Sequence, residues 1–170
     1  MRRALKRGGF MSIQNCDKIS SDLTAVYSRY FDMVYRICFM YFGGNKADTE
    51  DAVQSVFMKY IQADTDFQSE EHRKAWLITA AKNTCKSVLR LARRKNISLH
   101  SVQEQSAGFQ YGEVLDAVMR LPEKEKMAVY LCYYEDMTAA QVAEIMKCRE
   151  NTVYSYLHRA RKKLRKTLGE

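Results

Sequence analysis

Turn-forming residues are scarce in this chain, with one proline and seven glycines among 170 residues. Strand-rich folds need a Gly, Pro, Asn or Asp turn at nearly every reversal, so the shortage argues against sheets. Plentiful Leu, Met, Lys, Arg and Glu argue instead for helices. Long apolar runs are missing too: none approaches the ~20 residues that a membrane span requires. The basic opening MRRALKRGGF is followed by no apolar stretch or cleavage site, so it does not fit a secretory signal. Met11 is an alternative first residue, and the expectation is a cytoplasmic protein without membrane insertion.

Chemistry-bearing clusters are equally sparse. The five cysteines, Cys16, Cys38, Cys85, Cys132 and Cys148, are odd in number, far apart and never in a Cys-x-x-Cys pair. That spacing disfavours a disulfide framework or zinc knuckle and points to reduced thiols buried in helical patterns. His72, His100 and His158 show no metal-ligand spacing, and neither Gly8-Gly9 nor Gly43-Gly44 leads into a phosphate-binding Lys-Ser pattern. Asp48, Glu50 and Asp51 can be read as a cation site or as carboxylates at the start of a helix, which stabilise it there. The second is the simpler reading. The expectation is no catalytic residue, no metal, no cofactor and no enzyme.

What the chain does have is positive charge, +8 overall, which suits a polyanionic partner. Its placement is more informative than its sum. Eight Lys or Arg residues lie between Lys147 and Lys166 against one acidic residue, Glu150. A second basic cluster runs from Lys82 to Lys95.

Apolar spacing organises the rest. Leu23, Val26, Tyr27, Tyr30, Val34, Ile37, Cys38 and Tyr41 form one helical stripe, ended by Gly43-Gly44-Asn45. Asp48 is placed to cap a second helix that buries Ala52, Val53, Val56, Phe57, Tyr60 and Ile61. After a polar loop from Gln62 to Glu71, a third helix sets Trp76, Leu77, Ala80, Thr84, Val88 and Leu89 inward and Lys82, Lys86, Arg90 and Arg93 outward. Residues 96–112 contain no Lys or Arg and no apolar period, but much Ser, Gln and Gly, as a linker does. Beyond it, Val114, Leu115, Val118 and Leu121 mark a short helix, and Pro122 suits the first turn of the next, which buries Met127, Tyr130, Leu131 and Tyr134. Thr138-Ala-Ala-Gln141 has the form of a capping box opening a brief helix to about Met146. A turn at Lys147-Cys148 then leads into a last helix with Val153, Leu157, Ala160 and Leu164 inward. The expected fold is all-α, two small helical domains at 20–95 and 113–170 joined by a flexible linker at 96–112, with a basic extension over 1–19.

Short helix, tight turn and longer basic helix make a helix-turn-helix. Its second helix enters the major groove by its first residues, here Arg149, Glu150, Asn151, Thr152, Tyr154, Ser155 and Tyr156. Arg159, Arg161, Lys162, Lys163 and Arg165 come next and can neutralise phosphates. A solvated basic helix is the plainer explanation of a charge run, but the capped helix and turn directly upstream favour DNA. The face from Lys82 to Lys95, with Asn83, Ser87 and Trp76 nearby, suits single or melted strands. It also suits an ordinary basic helix surface.

These residues resemble a family. LPEKEKMAVYLCYYEDMTAAQVAEIMKCRENTVYSYLHRARKKLRK is similar to region 4 of bacterial sigma factors, through Leu121-Pro122, Met137-Thr138, Val142-Ala143-Glu144-Ile145, Thr152-Val153, Ser155, Leu157 and His158-Arg159-Ala160-Arg161. ADTEDAVQSVFMKYI, with Glu50-Asp51, Gln54 and Phe57, and AWLITAAKN, with Ala75-Trp76-Leu77 and Asn83, resemble region 2. Two domains and a short linker resemble the extracytoplasmic-function (ECF) group. The resemblance implies a subunit that gives core RNA polymerase its promoter specificity. Asp51, Gln54 and Phe57 would dock on the clamp helices of the largest subunit. Trp76, Lys82, Asn83 and Lys86, with Arg90 and Arg93 on the same face, would recognise and hold open the −10 element, aided by the Asp66–Glu71 loop. Arg149, Asn151, Thr152, Ser155, Tyr156, Arg159, Arg161 and Lys162 would read the duplex −35 element while region 4 rests on the flap of the second-largest subunit. An anti-sigma factor covering both DNA surfaces is a further possible partner.

The chain also departs from the family pattern. Lys147 replaces a turn glycine, Arg149 a small hydroxyl cap, and Tyr154 and Tyr156 stand where Lys and Arg are frequent. The main alternative is a dimeric helix-turn-helix regulator that never joins polymerase. It predicts a homodimer with tight operator binding, whereas a sigma factor predicts a monomer with feeble promoter affinity until it meets core enzyme.

Overall fold

The computed structural model describes residues 13–63, 65–94 and 112–169, with the side chains of the first helix from residue 22 onward. The linker expected at 96–111, the extension before residue 13 and Lys95 lie outside the described residues. Every regular element described is a helix, as expected. None is long and apolar enough to cross a membrane.

Three long helices build the N-terminal half: α1 (Ile13–Tyr41), α2 (Lys46–Gln62) and α3 (Glu70–Arg94). α1 therefore begins ahead of the stripe read from Leu23. It ends because Gly43 and Gly44 take φ of +61° and +94°, values that glycine adopts without steric cost. α2 is capped by Asn45, whose side-chain oxygen accepts from the Asp48 amide at 3.1 Å. The cap expected at Asp48 is thus corrected by one turn; Asp48 sits inside the helix, where its charge favours the N-terminal end. Val34, Ile37, Cys38, Phe42, Val56, Leu77, Ile78 and Cys85 close the core between the three helices. Full burial of such a Val, Leu or Ile side chain contributes about 1.5–3 kcal/mol. Ile61, Val88 and Tyr27, expected inward, are exposed instead, because each lies at the margin of its stripe where no third helix covers it.

The C-terminal half packs α4 (Glu113–Met119), α5 (Glu123–Val129), α6 (Ala139–Met146) and α7 (Glu150–Leu168). α5 does not stop at Val129 but widens into a π-helical turn over Tyr130–Tyr134. Pro122 precedes α5 as its N-cap residue. The capping box is present: Thr138 Oγ1 accepts from the Gln141 amide, and Gln141 Oε1 accepts from the Thr138 amide at 2.9 Å. Lys147 takes φ of +53°, so the turn into α7 does force a non-glycine residue into the left-handed region. Met127, Leu131, Val142, Ile145, Val153, Leu157 and Ala160 form this core. Val114, Leu115 and Tyr134 were expected in it but are exposed, lining an apolar groove with Val118, Tyr133 and Met40 of α1.

The two halves touch. Their buried apolar residues belong to one contiguous cluster, and α1 meets α5 while α3 meets α6. Cys38 and Cys85 are buried free thiols, and Cys132 and Cys148 are half-buried and free. The neighbouring Cys38 thiol and burial hold Cys85 protonated by raising its pKa, so it is a poor nucleophile.

Candidate nucleic-acid interface

α7 owes its position to the two devices just before it, the capped α6 and the left-handed Lys147. Arg149 is its N-cap residue, and no side-chain bond caps the helix there. Asn151, Ser155, His158 and Lys162 succeed one another at helical spacing on an exposed face, with Arg149 at its head and Arg165 at its foot. Thr152 and Tyr156 are half-buried and flank that face. Ser155 donates to the Asn151 carbonyl at 2.9 Å, and Tyr154 donates to Glu150 at 3.1 Å. Tyr154 is thereby turned along the helix, and its hydroxyl is held above its ordinary pKa by that bond to Glu150.

The basic residues of α7 divide into two kinds. Arg159 lies 5.2 Å over the Tyr156 ring and 3.9 Å from Glu125, and Lys163 bonds Glu125 at 2.8 Å. Glu125 is buried on α5, so these two cations anchor α7 to the domain. Arg161 donates to the Tyr133 hydroxyl from the π turn at 3.0 Å. Lys162, Arg165 and Arg149 have no partner among the described residues. They are the cations free to meet phosphate.

On the N-terminal half, α3 carries Trp76, Asn83, Lys86, Arg90 and Arg93 toward one side. Asn83, Lys86, Arg90 and Arg93 are exposed, and Trp76 is half-buried. Trp76 stands edge-on to Phe67 at 5.8 Å and to Tyr60 at 5.9 Å, while Phe67 stacks on Tyr60 at 5.3 Å. His72 and the Arg73 guanidinium also approach Phe67. The loop ahead of α3 is thus pinned by an aromatic cluster whose members Tyr60, Phe67 and Arg73 were missed. Only their assembly in space reveals them, since they belong to three different elements. Tyr30 reaches the same helix start, donating to Glu70 at 2.6 Å. Burial first, then this bond, pushes the Tyr30 phenol up to about 12. The bond from Tyr30 holds the Glu70 carboxyl below its ordinary range.

Lys82 departs from expectation. It is 8 % exposed rather than part of the solvent face, with its ammonium donating to the Ile145 carbonyl at the end of α6. Burial, then the nearby charges of Lys86 and Lys147, lowers its pKa. A helix pattern assigns a residue to a face but is silent on whether another domain covers that face.

Of the residues expected to meet polymerase, Asp51 and Gln54 are exposed on α2, whereas Phe57 is only 5 % exposed. Gln54 and Phe57 share a groove of about 520 Å³ between α1 and α2, walled by Tyr27, Phe31, Met58 and Ile61. Phe57 forms its floor, with the Tyr27 ring 4.7 Å away.

A helical bundle with a cationic helix beside an aromatic-pinned loop, followed by a helix-turn-helix, defines a nucleic-acid-binding protein with two contact faces. Sequence comparison makes the class specific: sigma-70 region 2 matches residues 26–95, and sigma-70 region 4 matches residues 111–164. The chain belongs to the ECF-type RNA polymerase sigma factors, the subunits that confer promoter specificity. It is 28 % identical to the ECF sigma-E factor of Haemophilus influenzae, over 88 % of this chain and 87 % of that one. It is also 28 % identical to the sigma factor SigL of Mycobacterium tuberculosis, over 87 % and 89 %. Among solved structures, the sigma factor RpoE of Bartonella quintana, crystallised with the anti-sigma factor NepR, shares the fold with a TM-score of 0.67. That match covers 87 % of this chain and 97 % of the other at 23 % identity.

Proposed function

We propose that the two faces of this sigma factor divide one promoter between them. α7 enters the major groove of the −35 element, with Arg149, Asn151, Ser155 and Lys162 toward base edges and phosphates and with Thr152, Tyr156, Arg159 and Arg161 supporting that face. α3 and the loop before it take the −10 element: Asn83, Lys86, Arg90 and Arg93 track the melted strand, and the Trp76–Phe67–Tyr60 cluster holds the loop against which an unstacked base is received. Lys82 joins that face once it is uncovered. Asp51 and Gln54, beside the groove floored by Phe57, meet the largest polymerase subunit. The observation that carries this reading is the exposed stripe on α7 with its unpaired cations, directly behind a complete capping box. The −10 and polymerase roles are carried over from the family residue by residue.

The reading assigns the chain no chemical step of its own, since nucleotide addition belongs to core enzyme, and places it in the cytoplasm, on the nucleoid when in holoenzyme. Because RpoE is held by an anti-sigma factor in the solved neighbour, we extend the same kind of partner to this chain. The test is size-exclusion chromatography with and without bacterial core polymerase, then run-off transcription on genomic fragments. Co-elution and new discrete start sites are expected. A homodimer that shifts duplex DNA unaided and ignores core polymerase would replace this reading with a conventional regulator.

A further inference from the structure

Three lysines along α3 are each met by a negative group from the C-terminal half. Lys74 pairs with Glu135 at 2.8 Å and donates to its carbonyl at 3.0 Å. Lys82 is buried against the Ile145 carbonyl, at a helix end where unsatisfied carbonyls and the negative pole of the dipole gather. Lys86 pairs with Glu123 at 2.9 Å. Around them, Tyr41 donates to Glu123 at 3.2 Å, Lys126 donates to the Met40 carbonyl at 3.4 Å, and the Arg36 guanidinium covers the Tyr134 ring at 4.7 Å. With Lys82 8 % exposed, no phosphate reaches it while the halves stay together.

We infer that the C-terminal half is an intramolecular latch that occupies the α3 face in place of DNA, so that the free protein is closed to the melted strand until the halves part. The inference rests on the reading of α3 as the strand-binding face. Glu123, Glu135 and the end of α6 stand where the phosphates of a bound strand would be. The latch is reversible because its bonds are weak ones. Exposed ion pairs such as Lys86–Glu123 contribute little and are screened by salt, and Lys82 gives up hydration for a neutral carbonyl. Arg90, Arg93 and Arg94 stay outside, bordering an open cleft of about 440 Å³ next to Lys86 and Glu123. A strand captured there competes with Glu123 for Lys86 first, then frees Lys82.

The test uses the full chain and a fluorescein-labelled pool of random single-stranded 20-mers. Removing Arg36 by Arg36→Ala deletes a positive charge, so plain electrostatics predicts weaker binding. The latch predicts binding about two- to threefold tighter, because the cap on Tyr134 is worth on the order of 0.5–1 kcal/mol. Glu123→Ala with Glu135→Ala should tighten binding about tenfold and raise the radius of gyration in small-angle scattering. Asp22→Ala with Asp116→Ala, matched in charge, should do neither. Weaker or unchanged binding by Arg36→Ala, with an unchanged radius of gyration in the double variant, would overturn the latch. Co-elution of the native chain with core polymerase keeps the two ideas apart: if it fails, the sigma reading beneath the latch falls as well.

Discussion

Lys162 on α7 and Lys82 on α3 are both candidate DNA contacts, and they live in opposite surroundings. Lys162 stands in solvent without a partner among the described residues, while Lys82 is buried and held by a backbone carbonyl of the other half. The contrast extends along each helix. Arg159, Lys163 and Arg161 of α7 are tied only to their own domain, through Glu125 and Tyr133, which stiffens the recognition helix without hiding it. Lys74, Lys82 and Lys86 of α3 are tied across the boundary. Charge of the same sign and similar density can therefore be either ready or withheld, and the distinction lies in which element supplies the counter-charge.

The strongest test of this contrast is whether the halves share one core. Leu77→Ala, at the centre of the N-terminal bundle, should cost about 3 kcal/mol. In urea, Trp76 fluorescence and far-ultraviolet circular dichroism should still report one coincident transition, moved to lower denaturant. Two separated transitions would mean that the halves are stable independently. Next in size is a pH effect confined to the N-terminal half. Because the folded-state pKa of Tyr30 is raised from 10.0 to about 12, its contribution is complete below pH 10 and is lost as pH rises toward 12, on the order of 2 kcal/mol in all. The stability of the native chain minus that of Tyr30→Phe should fall over that window; a flat difference would remove the Tyr30–Glu70 bond from the account. Thr138→Ala should cost about 1 kcal/mol by removing one arm of the capping box and should weaken duplex binding before it disturbs the N-terminal bundle, as read by Trp76 fluorescence. Smallest in free energy is a salt effect. Lys162→Ala should lower the slope of log affinity against log salt for duplex DNA by about one. Lys86→Ala should lower it clearly less, because Glu123 already holds that charge. Equal losses would erase the difference between the faces.

Much of this architecture could be read from residue order. The capping box at Thr138 and Gln141, the left-handed strain at Lys147 and the inward set Val153, Leu157 and Ala160 depend on neighbours within a few positions, and all are found. The cap of α2 was misplaced because Asn45 and Asp48 are both good capping residues three positions apart, and only the path out of Gly43-Gly44 decides between them. Val114, Leu115 and Tyr134 have helical spacing yet stay exposed, since periodicity identifies an apolar face but not the surface that covers it. Lys82 is the converse case, a charge placed correctly on α3 and then buried by a helix more than sixty residues away. The aromatic cluster around Trp76 eluded the sequence for the same reason: Tyr60 and Phe67 come to it from another helix and a loop.

The π turn at Tyr130–Tyr134 makes the molecule sensitive to length as much as to composition. Its wide hydrogen bonds, from the Glu135 amide to the Tyr130 carbonyl at 3.2 Å among them, accommodate one residue more than an α-helical path would. Tyr130 and Tyr134 stack at 5.3 Å across the widened coil. Deleting any one of these five residues would leave the charged groups at the boundary intact but rotate the rest of the C-terminal half by about 100° around the axis. Glu135 would swing away from Lys74, and the approach of α6 to Lys82 would be re-aimed. A single-codon deletion there would act as a change of phase, disengaging the halves without altering one charged residue.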